Sequence, residues 1–153
     1  MNRILGFAVI APLLTLSAPA VAIPPETAPI VFPIPADAST GSCAFDVLVK
    51  GSSKGKTIEK PGGGLIAVSA RTHVTATGNG NNANYTINGT FHITTDADGK
   101  VVFKATGRNL LTDPDAGVVV TSGNFTFAFD AEGNLVEGLT GKGSITDVCA
   151  DLS

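Results

Sequence analysis

Residues 89–108, GTFHITTDADGKVVFKATGR, and residues 123–142, GNFTFAFDAEGNLVEGLTGK, align without a gap at an offset of 34, with eight of twenty positions identical. Each copy reads as a strand, a tight turn and a returning strand. Asp96-Ala97-Asp98-Gly99 and Asp130-Ala131-Glu132-Gly133 have the composition of a type I turn ending on a glycine in a left-handed bulge, where the aspartate accepts from the turn backbone. Asp-x-Asp-Gly also opens calcium loops, but the third acidic ligand and the glutamate at position twelve are missing, so turn chemistry is the reading. Asp113-Pro114-Asp115-Ala116-Gly117 is read the same way.

Pairing Asp96 with Lys100 sets Phe91, Ile93, Val101, Phe103 and Ala105 on one face; pairing Asp130 with Asn134 sets Phe125, Phe127, Phe129, Leu135 and Leu139 on its equivalent. Glu137 falls where the first copy has Phe103. Pointing inward, it is a polar anchor in an apolar ligand cavity, with Arg71 or Arg108 as partner. Beyond a bulge at Gly138, it points into water. The ligand-binding candidates are therefore Glu137, Phe103 and Arg71.

Working outward, residues 65–77 read as a strand with Ile66, Val68, Ala70, Val74 and Ala76 on one face, and residues 84–93 as a strand whose apolar set is Tyr85, Ile87, Phe91 and Ile93. A register with positions summing to 161 would set His73 opposite Asn88 and His92 opposite Ser69. The histidines would then be about 13 Å apart along the ribbon, too far to share a metal, and no metal site is expected. Cys43, Phe45, Val47 and Val49 alternate as a strand, and residues 51–64, with Lys54, Lys56 and Lys60 following Lys50, read as a solvated loop. Residues 109–117 read as a connecting loop, and Ile145, Val148 and Cys149 as a final short strand. Asn84, Asn88 and Asn124 head Asn-x-Thr triplets on the outer side of strands, matching glycosylation acceptors.

Residues 1–22 have the positive start, apolar core and Ala-Val-Ala ending of a secretory signal peptide, and residues 23–40, with five prolines, read as an extended leader. The single β-domain is residues 41–153, and no membrane span is expected in the mature chain. After residue 22, nine basic against thirteen acidic side chains leave a net charge of −4, which disfavours nucleic acid as a partner. A lone cysteine pair in an exported chain predicts the disulfide Cys43–Cys149. That bond requires the first and last strands to meet. The expected fold is all-β, an antiparallel up-and-down barrel of seven to eight strands, with a two-sheet sandwich as the alternative.

No nucleophile elbow, zinc-protease motif, phosphate loop or dinucleotide fingerprint occurs, so no catalytic residue and no cofactor is assigned. The expectation is a secreted, non-catalytic protein binding a small molecule, an envelope component or another protein. The alternatives are an enzyme working through Glu137 and a structural envelope protein.

Overall fold

Alternating apolar side chains between glycine-bearing turns build eight strands and one helical turn in the computed structural model, which describes residues 27–37 and 42–153. In chain order these are β1 (Thr27–Ile34), β2 (Val47–Glu59), β3 (Leu65–Gly78), β4 (Asn81–Ile87), β5 (Thr90–Thr95), β6 (Val101–Asp113), β7 (Gly117–Phe129), β8 (Leu135–Asp147) and α1 (Val148–Asp151). The expected signal peptide lies outside the described residues, as do residues 23–26 and 38–40 of the expected leader.

All pairings are antiparallel, in the order β1-β2-β3-β5-β6-β7-β8, with β4 on the other end of β3. The terminal strands β1 and β8 are not hydrogen-bonded to each other, so the sheet stays open. The disulfide Cys43–Cys149 spans a sequence separation of 106, with Cα atoms 5.3 Å apart, and ties the segment before β2 to α1.

Both duplicated turns form as read. Asp96 N–H donates to the Lys100 carbonyl at 3.0 Å and Asp130 N–H to the Asn134 carbonyl at 2.9 Å, while Gly99 and Gly133 take φ of 83° and 88°. Each aspartate Oδ1 accepts two backbone N–H groups, from Asp98 and Lys100 in one copy and Glu132 and Asn134 in the other.

A row of glycines crosses the sheet, with Gly107 opposite Gly123 and Gly123 opposite Gly143. A Cβ at Gly123 would collide with the Lys142 carbonyl oxygen, so the strands approach there as only glycine permits. Beyond this row the β6–β7 hairpin doubles back. Asp113 pairs with Gly117, yet its Oδ2 accepts the N–H of Leu139, level with Phe127, at 3.2 Å. Along a straight β7 those levels, ten residues apart, would be separated by roughly 33 Å. The end of the hairpin, residues 108–122, is therefore a flap folded over the inner face of its own sheet.

The flap is covered on both sides. Val118 and Val120 join the core of Val47, Val49, Val74, Ala76, Tyr85 and Ile87, while Leu111 and Asp113 face Phe127, Phe129 and Leu139. Val118, Val119, Val120 and Thr121 are consequently all buried, and the sequence shows an unbroken apolar run there instead of alternation. The α1 turn closes the core with Val148 and Leu152, held by Tyr85 Oη donating to Asp151 Oδ2 at 2.7 Å and Asn81 Nδ2 donating to the Leu152 carbonyl at 3.1 Å.

Several expectations need correction. Part of the leader is β1, paired along its length with β2; its prolines, Pro29 and Pro33, are tolerated because an edge strand leaves alternate N–H groups unpaired. The lysine segment is strand to Glu59, with only a short turn after it, and β6 runs on to Asp113 through the expected loop. The chain ends in α1, N-capped by Asp147, instead of a strand.

The 161 register is also replaced. Positions sum to 159 between β3 and β4 and to 158 between β3 and β5, so His73 opposes Thr86 and His92 opposes Ile66. The cause is a break at Asn88–Gly89, where Gly89 leaves room for the Asn109 side chain, together with a bulge in β3 at Arg71, φ 46°. Ile66 and Val68 thereby turn to the face opposite Val74 and Ala76, and Leu65, Ala67 and Ser69 turn inward.

Candidate functional site

Below the glycine row the sheet's inner face is apolar by register from β3 to β8 and polar on β2. Thr57, Ala67, Phe91, Ala105, Phe125 and Gly141 lie side by side across six strands, and Glu59, Leu65, Ile93, Phe103 and Phe127 form the neighbouring row. The rings interlock: Phe103 stacks on Phe127 with centroids 5.0 Å apart, and Phe91 and Phe129 meet that pair edge-on. Phe91, Phe103, Phe127 and Phe129 nevertheless stay only half-buried, because the flap does not cover the whole face.

Where the aromatic row meets β1, a cleft of about 200 Å³ opens. Ile30 and Phe32 wall one side, Val49, Val74 and Ile87 form its floor, Phe91 leads from it to the aromatic row, and Leu110 of the flap closes it. Phe32 is 55% exposed at its rim, an unusual position for a phenylalanine without a partner. The polar groups lining the cleft are the hydroxyls of Ser69 and Thr72, the latter 3.3 Å from Ser53 Oγ. No charged side chain lines it.

The three residues singled out from the sequence are not brought together. Phe103 is in the aromatic row, and Arg71 is exposed on the β3 bulge. Glu137 takes the second of its two readings. Register shifts between Thr126 and Phe129 set Glu137 opposite Ala128, on the face away from Phe127. There its side chain is 53% exposed and its Oε1 accepts from Lys100 Nζ at 2.6 Å. Neither Arg71 nor Arg108 is its partner in this ion pair. The hydrogen bond and charge of Glu137 raise the Lys100 pKa above its ordinary value.

The remaining titrating groups serve the scaffold. The Asn134 side-chain amide and backbone N–H, with the turn's other N–H groups, hold the Asp130 carboxyl below the usual range. Burial, then the bond to Asp151 and its charge, push the Tyr85 phenol upward. His73 Nδ1 lies 3.2 Å from Thr86 Oγ1 and His92 sits beside Lys104, and no group of three potential ligands occurs among the described residues.

Sequence reading gave no site role to Ile30 and Phe32, expected only to rest on the domain, and missed Ser69, Thr72 and Leu110. The Ile-Val-Phe triplet between Pro29 and Pro33 was the available signal for the first two; the others depend on the β3 bulge and the fold-back. No family model, curated protein or solved structure matches the chain.

Proposed function

We propose that the protein is an extracellular, non-catalytic binding module that takes a small apolar ligand into the cleft between β1, β3 and the flap. The cleft itself carries the reading: apolar walls, two hydroxyls to orient a ligand, an exposed phenylalanine at the mouth and continuity with a half-buried aromatic row. Its volume of about 200 Å³ equals that of about seven waters at ~30 Å³ each, which suits one ring or a short branched chain better than a whole lipid. The disulfide favours an oxidising compartment, and no helix among the described residues is long and apolar enough to cross a membrane. The open sheet serves this role as a closed up-and-down barrel would, with β1 and Leu110 walling the ligand from opposite sides.

The test is titration of the disulfide-intact protein, which has no tryptophan of its own, with a neutral apolar fluorophore of one fused ring system, indole. Saturable enhancement is expected, weakened at least tenfold in Ser69→Phe, whose ring would occupy the cleft, with the melting temperature kept. Absence of saturable enhancement, or equal binding by the variant, would overturn the reading.

A further inference from the structure

The outer face of the same half-sheet gathers cations that the sequence scatters. Pairing runs unbroken across six strands through Lys56, Val68, Thr90, Thr106, Asn124 and Lys142. The next row, two residues along each strand, runs Ile58, Ile66, His92, Lys104, Thr126 and Thr140. Lys54, opposite Ala70, continues the face on β2. Lys54, Lys56, Lys104 and Lys142 are all exposed, and the ion pair found among the described residues is Lys100–Glu137, which neutralises the carboxylate of the adjoining row. A chain with more acidic than basic side chains thus turns one positively charged face outward.

From this placement we infer that the outer face docks onto an anionic polysaccharide, a polymer whose repeating carboxylate or phosphate charges alternate with sugar hydroxyls. Neighbouring strands are about 4.8 Å apart, so Lys104 on β6 stands roughly 14 Å across the sheet from β2 and roughly 10 Å from β8. These separations match or exceed the Debye length of ~10 Å at 0.1 M salt, so a small anion feels the lysines of one strand at a time. An extended polymer spans all three strands and sums their attraction. Between the lysines lie threonine hydroxyls and the Asn124 amide, groups that hydrogen-bond sugars. Base stacking is not provided for, because Phe91, Phe103, Phe125 and Phe127 all occupy rows of the opposite face. The same absence of aromatic side chains argues against insertion into a lipid headgroup layer.

The experiment measures binding of the full folded protein to polygalacturonate at low ionic strength, beside neutral dextran, anionic phospholipid vesicles and single-stranded DNA. Binding to polygalacturonate that falls steeply with added salt, with dextran inert and the other two at least tenfold weaker, is the expected result. The triple variant Lys56→Gln, Lys104→Gln, Lys142→Gln should lose at least tenfold in affinity with an unchanged melting temperature. No binding to polygalacturonate, binding insensitive to the triple variant, or vesicles or DNA binding as well as the polysaccharide would overturn the inference. Because this face lies opposite the cleft, indole binding by the triple variant should be unaltered, so the two proposals fail separately.

Discussion

The flap, residues 108–122, and the half-sheet beneath it are parts of the same hairpins, yet one has both faces buried and the other keeps one face in water. In the flap, consecutive residues from Val118 to Thr121 are buried, and Asp113 is buried with its carboxylate accepting N–H groups from Asp115, Ala116 and Leu139. In the half-sheet, Phe103 and Phe127 remain half-buried on one side while Lys104 and Asn124 are exposed on the other. Stability therefore concentrates in the flap and its coverings, whereas the half-sheet leaves more of its side chains open to water.

The sharpest way to break this contrast is to release what covers the flap. Replacing Cys43 and Cys149 by serine removes a bond enclosing about 100 residues and should cost about 4.7 kcal/mol in urea unfolding on the chain-entropy model. Gly123→Val comes next. Its side chain would meet backbone at the glycine row, with an expected loss of about 3 kcal/mol, whereas Gly133→Ala at the open lower turn, also at positive φ, should lose about 1–2 kcal/mol. Equal losses at the two glycines would remove the distinction between crease and turn.

Asp113→Ala leaves three partly buried N–H groups without their acceptor and should cost about 2–3 kcal/mol. The corresponding Asp96→Ala exposes its turn N–H groups to water and should cost under about 1 kcal/mol. Comparison of the two melting curves checks both.

The coverings of the flap also carry a pH signature. Tyr85 is the chain's one tyrosine, and its pKa is raised above 10.0 by burial and by Asp151. A raised folded-state value favours the protonated phenol, so its contribution to stability is complete below pH 10.0 and is lost as pH rises through the folded-state value. Phenolate absorbance should therefore appear above pH 10.0, together with unfolding; titration of a native phenol at its ordinary value would contradict this. The smallest effect belongs to Glu137→Gln, which breaks an exposed ion pair and should leave the melting temperature unmoved.

The sequence made the duplicated turns legible because aspartate and glycine solve a local problem there, within five residues. It also pointed to the disulfide, because two cysteines leave one pairing. The glycine row was not legible: Gly107, Gly123 and Gly143 are distant in sequence, and only the pairing register brings them into line. Because the flap is buried on both sides, its residues show no alternation, and residues 109–117 read as a loop. β1 was masked by prolines that an edge strand accommodates. Glu137 was misplaced in the inward reading for a related reason, since a bulge of one residue reverses which face a side chain takes. The cleft draws on β1, the β3 bulge and the flap together, so each of its walls was hidden by one of these effects.

The fold-back of the hairpin is what closes the cleft with Leu110, and it is directly measurable. A nuclear Overhauser spectrum of the disulfide-intact protein should show contact between the Leu139 amide proton and the Asp113 β protons, groups joined by a 3.2 Å hydrogen bond. Absence of that contact, with the β6–β7 pairing intact, would mean a straight hairpin whose tip stands roughly 33 Å away, and would contradict the account.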